Sequence, residues 1–214
     1  MVNNPYRGRA AEFPGRLFNF PDGEADVDIS AQLAEAEHTY LEFGSGSGGH
    51  LIDRALLQPD AGFWGFELRY KRAVRTVEKA QVRGAENVFV LRTRAESAEK
   101  FFPNHSIAGI YVNFADPWAK QKQHKHRLMN EQLLNSAHRL LSSDGFLAVK
   151  TDHEEYFDYF LERVECDERF VVQEFSRDLH NSDYLSDNVM TEFEKLFTSQ
   201  GMPVFYVRLS RRSV

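Results

Sequence analysis

The chain has 214 residues, of which 42% are hydrophobic and 27% charged, with a formal net charge of −6 and a pI near 5.8. That length supports one good core. No apolar run reaches membrane-spanning length and the N-terminal stretch lacks a signal peptide's apolar region, so with Cys166 as the single cysteine a cytoplasmic protein without disulfides is expected. The acidic balance argues against nucleic-acid binding by the whole surface but is compatible with a local basic patch.

Residues 1–20 place Arg7, Arg9 and Arg16 among Pro5, Gly8, Pro14 and Gly15, which predicts an irregular basic arm. Residues 22–37 are acidic, with Asp22, Glu24, Asp26 and Asp28, and a short helix is expected over Ile29–Glu37. Residues 1–37 are therefore read as an extension packed on or near the core, and residues 38–214 as the main domain.

A buried strand then runs through Tyr40-Leu-Glu-Phe43 into the turn Gly44-Ser-Gly-Ser-Gly-Gly49, with a helix from about His50. Beyond it strands and helices alternate as in a doubly wound fold. Strands are expected over 62–68, 87–91, 107–114, 145–151, 170–175 and 203–209, and helices over 70–83, 95–102, 127–141, 153–166 and 190–199. The prediction is an α/β, Rossmann-like chain with a mostly parallel seven-stranded sheet and helices on both faces. Ligands of such sheets bind at the carboxyl ends of the strands.

The glycine turn admits two ligand classes. Gly44, Gly46 and Gly49 satisfy the G-x-G-x-x-G of dinucleotide folds, with Glu67 at about the spacing of a ribose-binding acid. Gly44, Gly46 and Gly48 after Glu42 also give the E-x-G-x-G-x-G of class I S-adenosylmethionine-dependent methyltransferases. Glu42 favours the second, because a carboxylate at the strand tip repels a pyrophosphate and attracts the ammonium and sulfonium of S-adenosylmethionine.

Three further stretches carry polar chemistry. Asn113-Phe-Ala-Asp-Pro-Trp118 sets the Asp116 carboxylate and an aromatic at a strand end. Lys120, Lys122, Lys125 and Arg127 follow in a run without an acid, which reads as a phosphate-binding strip. Lys150-Thr-Asp152 ends another strand, and Thr191-Glu-Phe-Glu194 has the spacing of a capping box. His124 and His126 lack the partners of a metal site, so no metal is expected.

These motifs together resemble the single-subunit bacterial tRNA (guanine-N7)-methyltransferases from about residue 38 to 210. The resemblance rests on Leu-Glu-Phe-Gly-Ser-Gly-Ser-Gly, Trp-Gly-Phe-Glu-Leu, Asn-Phe-Ala-Asp-Pro-Trp-Ala-Lys, Lys-Thr-Asp, Asp-Leu-His-Asn-Ser and Thr-Glu-Phe-Glu, in that order. It implies a class I fold and methyl transfer from S-adenosylmethionine to N7 of a guanosine in the tRNA variable loop, by a monomer or homodimer. Glu42, Gly44, Gly46, Glu67, Arg69, Asn113 and Asp116 are then implied to hold the cofactor, with Asp116 also the active-site acid. Lys120, Asp152, Thr191, Glu192, Phe193 and Glu194 are implied to hold the guanosine, and Lys122, Lys125 and Arg127 to contact RNA. The family commonly has an acid or amide on the adenine side where this chain has Arg94, which leaves that contact to Arg94, Glu96 or the backbone of Ala95. The basic run is also thinner than usual, with Ala119 for proline, Gln121 for lysine and His126 for arginine.

The rival readings are a methyltransferase of small molecules, which has no use for the Lys/His/Arg run, and an NAD-dependent oxidoreductase, which Glu42 disfavours. A non-catalytic RNA-binding module has no use for Asp116, and a hydrolase is disfavoured because neither Ser45 nor Ser47 lies in a G-x-S-x-G elbow.

Overall fold

The computed structural model describes residues 5–20 and 28–212; the expected acids Asp22, Glu24 and Asp26 lie outside them. The chain divides into two units, residues 1–102 and 103–214, each described by itself.

The first unit runs α1 (Pro5–Arg9), β1 (Leu17–Asn19), α2 (Ser30–Ala34), β2 (His38–Phe43), α3 (Gly49–Leu57), β3 (Ala61–Phe66), α4 (Tyr70–Val82) and β4 (Val88–Arg92). Its strands pair in parallel in the order β1-β4-β3-β2, with Leu17 opposite Val90, Phe63 opposite Val88 and Phe43 opposite Phe66. All six residues of β3 are buried, as suits a parallel strand covered on both faces. Leu51, Ile52 and Ala55 of α3 and Ala80 of α4 pack with Phe63 and Val88, while Ala73, Val74 and Val77 of α4 pack with Ala10, Leu17 and Val90.

The basic arm expected over residues 1–20 is instead partly regular. Arg16 turns its guanidinium onto main chain, donating from Nε to the Val88 carbonyl at 2.9 Å and from Nη2 to the Ala85 carbonyl at 2.7 Å. Leu17 and Phe18 are thereby drawn into a strand, and the fully buried Trp64 stacks on Phe18 at 5.7 Å and on Phe89 at 4.6 Å. Burying such a side chain contributes about 3 kcal/mol. β1 is why the described residues hold eight strands where seven were expected.

The second unit runs β5 (Ile107–Asn113), α5 (Glu131–Leu140), β6 (Leu141–Thr151), α6 (Glu154–Glu165), β7 (Phe170–Ser176), α7 (Glu192–Ser199) and β8 (Phe205–Arg211). Its strand order is β5-β6-β8-β7, with β5–β6 parallel and the two pairings of β8 antiparallel. The helix expected from residue 127 starts at Glu131, because Asn130 caps it by accepting the Leu133 N–H at 3.0 Å. Residues 121–126 form a separate 3-10 turn. No helix among the described residues is long and apolar enough to cross a membrane.

Candidate active site

In the first unit, β2 delivers Glu42 and then reverses. The N–H groups of Gly44 and Ser45 both donate to the Phe66 carbonyl at 3.0 Å, folding the turn over the end of β3. Gly44, Gly46 and Gly48 have φ of 77°, 57° and 73°, a region that side chains disfavour. A Cβ at Gly44 or Gly46 would meet nothing within 4 Å, so these two glycines border open space. Gly48 faces protein: its Cβ would lie 2.3 Å from Cγ2 of Thr76, whose hydroxyl donates to the Arg72 carbonyl at 3.1 Å. Gly48→Ala is expected to cost about 2 kcal/mol in denaturant unfolding, through strain and overpacking, whereas Gly44→Ala meets only the backbone penalty.

Glu42 is buried, with Oε2 3.2 Å from His50 Nδ1 and both side chains under 5% exposed, a contact that is ionic only when the imidazole is protonated. In sequence His50 marks only the helix start; its place directly after Gly49, eight residues from Glu42, is the one signal of this contact. Glu67, at the end of β3, is also buried. Its Oε1 accepts the Arg69 N–H at 2.7 Å and its Oε2 lies 4.0 Å from Arg72. A carboxylate oxygen carries two lone pairs, so Glu67 keeps acceptor capacity for a diol. Arg69 and Arg94 are exposed, and Ala95 is buried at the start of a 3-10 turn. Two buried acids beside an open glycine cradle suit a ligand bearing positive charge and hydroxyl donors, as S-adenosylmethionine does.

In the second unit, Asn113 ends β5 and Phe114 and Trp118 take left-handed backbones, φ 50° and 44°, on either side of Asp116. Two such residues in five represent strain of about 1–3 kcal/mol each, of the kind that fold-imposed sites store. Asp116 is exposed, and its Oδ1 accepts the Trp118 N–H at 3.1 Å. The turn is also held from behind. Arg127 Nε donates to the Pro117 carbonyl at 2.9 Å while its guanidinium sits 4.9 Å and 4.8 Å from the Tyr156 and Tyr159 ring centres. Burial pushes the Tyr156 phenol up to about 12, and its oxygen accepts the Met129 N–H at 2.7 Å. Arg127 is only 5% exposed. Of the four cations in the basic run, Lys120, Lys122 and Lys125 are exposed, and Arg127, expected to contact RNA, is instead committed to the Asp116 turn.

Asp152 is half-buried between β6 and α6. Thr191 and Glu194 form the capping box of α7, with the Glu194 N–H donating to the Thr191 hydroxyl at 2.9 Å. Glu192 and Phe193 are exposed, Phe193 standing 6.4 Å from Phe114 and stacking on Phe197 at 6.2 Å. Glu194 is wholly buried: Oε2 takes Lys150 Nζ at 2.6 Å and Oε1 faces His180 Nε2 at 3.0 Å. Lys150 Nζ also donates to Asn188 Oδ1 at 2.9 Å and the Val189 carbonyl at 3.0 Å. This network ties the end of β6 to the start of α7, and sequence reading missed it because its members lie up to 44 residues apart.

Burial alone would push the Glu194 carboxyl up, but the Lys150 ammonium and the hydrogen bonds from Lys150, Asn188 and Thr191 outweigh it and hold the group below its ordinary 4.5. The stability it contributes is therefore present above that value and lost as pH falls through the lowered one. Glu194→Gln is expected to be less stable at neutral pH and to show a shallower acid-unfolding dependence, read by urea midpoints from pH 7 downward. No cluster of three or more potential metal ligands occurs among the described residues.

A methyltransferase family model matches residues 36–207. A tRNA (guanine-N(7)-)-methyltransferase of Geobacillus kaustophilus is 36% identical over 218 residues, covering 100% of this chain and 99% of that protein. A bifunctional glycosyltransferase/methyltransferase of Fusobacterium nucleatum is 37% identical over 196 residues, but this chain spans only 30% of that longer protein. Among solved structures, an rRNA methylase of Streptococcus thermophilus superposes with a TM-score of 0.56 at 18% identity, covering 100% of this chain and 99% of that one, a likeness of fold.

Proposed function

We propose that this chain, which belongs to the tRNA (guanine-N7)-methyltransferase family, transfers the methyl group of S-adenosylmethionine to N7 of a guanosine in the tRNA variable loop. The observation that carries the reading is the end-to-end likeness to the Geobacillus enzyme. The cofactor supplies a methyl carbon activated by the adjoining sulfonium.

Guanine N7 has an in-plane lone pair and no proton to lose, so the protein has a positioning task and needs no strong general base. Glu42 takes the cofactor's positive charge beside the bare backbone of Gly44 and Gly46, and Glu67 takes its ribose hydroxyls. Arg69, Arg94, the Ala95 backbone and Asn113 complete the cofactor contacts. Asp116 accepts from guanine N1–H and the exocyclic amine and stabilises the cationic methylated base. Lys120, Asp152, Glu192 and Phe193 hold the nucleoside. Thr191 and Glu194 serve it indirectly, by fixing the start of α7. Lys122 and Lys125 bind phosphate. A tRNA substrate supports a cytoplasmic setting.

The test is transfer of labelled methyl to unmodified bulk tRNA. RNase-sensitive label is expected. Lys122→Ala with Lys125→Ala is expected to weaken tRNA binding and reduce the slope of log affinity against log salt by roughly 1.4–1.8 for two lost phosphate contacts, with cofactor affinity unchanged. Cofactor binding without label in RNA would turn the reading to a small-molecule methyltransferase.

A further inference from the structure

Glu67 places one carboxylate ahead of α4, bonded to the Arg69 N–H, but the charged residues of the helix's own first turn are all cations. Its N-cap is Arg69, without a side-chain cap, and Lys71 and Arg72 follow with no acid in the first turn. A helix N-terminus carries partial positive charge and favours acids there, so these cations work against the helix. Arg75 stands one turn beyond Lys71 on the same face, adding like-charge repulsion. The helix forms nonetheless because its opposite face buries Ala73, Val74, Val77 and Ala80.

Arg72 is turned toward Glu67. Lys71 and Arg75 are exposed, and among the described residues no carboxylate pairs with them. α1 lies against this helix: Arg9 bonds Glu78 of α4, and Tyr6 packs on the cluster of Val74 and Val77. Arg7 of α1 is exposed and likewise has no carboxylate partner among the described residues. In a chain of net charge −6, the packed helices α1 and α4 thus carry three exposed cations that have no carboxylate partner among the described residues, while Glu12 and Glu78 are taken by Arg9.

We propose that Arg7, Lys71 and Arg75 are a second phosphate-binding surface for RNA, distinct in sequence from the run at residues 120–127. The proposal rests on the RNA-substrate reading above. Glu67 serves the Arg69 N–H and faces Arg72; a line of phosphates would supply the negative charge that no described carboxylate brings to Lys71 and Arg75. It also gives a large RNA a hold on the first unit, which otherwise offers only cofactor contacts.

The test measures tRNA binding to the full chain and to Lys71→Ala/Arg75→Ala, with Arg7→Ala added in a third protein. The double variant is expected to bind tRNA about tenfold more weakly near physiological salt, with a correspondingly lower salt slope. Its S-adenosylmethionine affinity and its rate at saturating tRNA are expected to match the parent, and its Tm to stay level or rise as the opposing charges leave the helix start. The triple variant is expected to bind more weakly still. Unchanged tRNA affinity and slope in the double variant overturn the surface even where the parent methylates tRNA, which leaves the substrate reading standing. A parent that binds no tRNA overturns both. A lower Tm with unchanged tRNA affinity assigns the cations to the fold and overturns the proposal, as does tighter binding to phosphatidylserine vesicles than to tRNA.

Discussion

Asp116→Ala is expected to slow methyl transfer at saturating tRNA and cofactor by about 100- to 1,000-fold, the scale of removing one pre-organised polar group from a reacting centre. The side chain does two separable things. Its Oδ1 closes the turn onto the Trp118 N–H, and its charge is available at the surface of that turn. Asp116→Asn keeps an oxygen for the turn and removes the charge. If the charge orients guanine and stabilises the methylated base, the asparagine protein stays nearly as slow as the alanine one. If the group matters only through the turn, asparagine restores most of the rate. Single-turnover methylation of tRNA separates the two, and alanine and parent proteins of equal turnover would remove Asp116 from the chemistry.

Arg127→Ala is expected to cost about 3 kcal/mol in stability, because it leaves two tyrosine faces without their cation and the Pro117 carbonyl without its donor. The same change loosens the backbone that carries Asp116, so the turnover number is expected to fall by about 100-fold, the scale of a small misplacement of a reacting group. Arg127→Lys keeps the charge but not the planar fork and stacking, and is expected to recover little. The salt slope of tRNA binding distinguishes this from a phosphate contact: it stays at the parent value if Arg127 is internal, and falls by roughly 0.7–0.9 if Arg127 touches RNA.

The legible parts of this chain were those whose signal is local. The strand ending in Glu42, the glycine turn, the all-buried strand through Trp64 and the capping box of Thr191 and Glu194 each declare themselves within a few residues. So did the end of β5, where the polar run from Asn113 to Trp118 interrupts an apolar strand. The Asn130 cap is equally local, but Leu128 and Met129 ahead of it are apolar and do not mark where the helix expected from Arg127 begins. The remaining features depend on distant partners. Three residues of β1 have no periodicity to read; they become a strand because Leu17 finds Val90 and Arg16 finds two carbonyls. Arg127 looks like its lysine neighbours until Tyr156 and Tyr159 close over it. Glu194 reads as a cap or a ligand contact until Lys150 and His180 reach it.

The central claim is the identity of the methylated atom. Unmodified tRNA is incubated with the chain and labelled S-adenosylmethionine, digested to nucleosides, and the label is located by chromatography against methylated standards. The label is expected to elute as 7-methylguanosine. Label in any other nucleoside, at a rate the Asp116→Ala protein does not share, would contradict it.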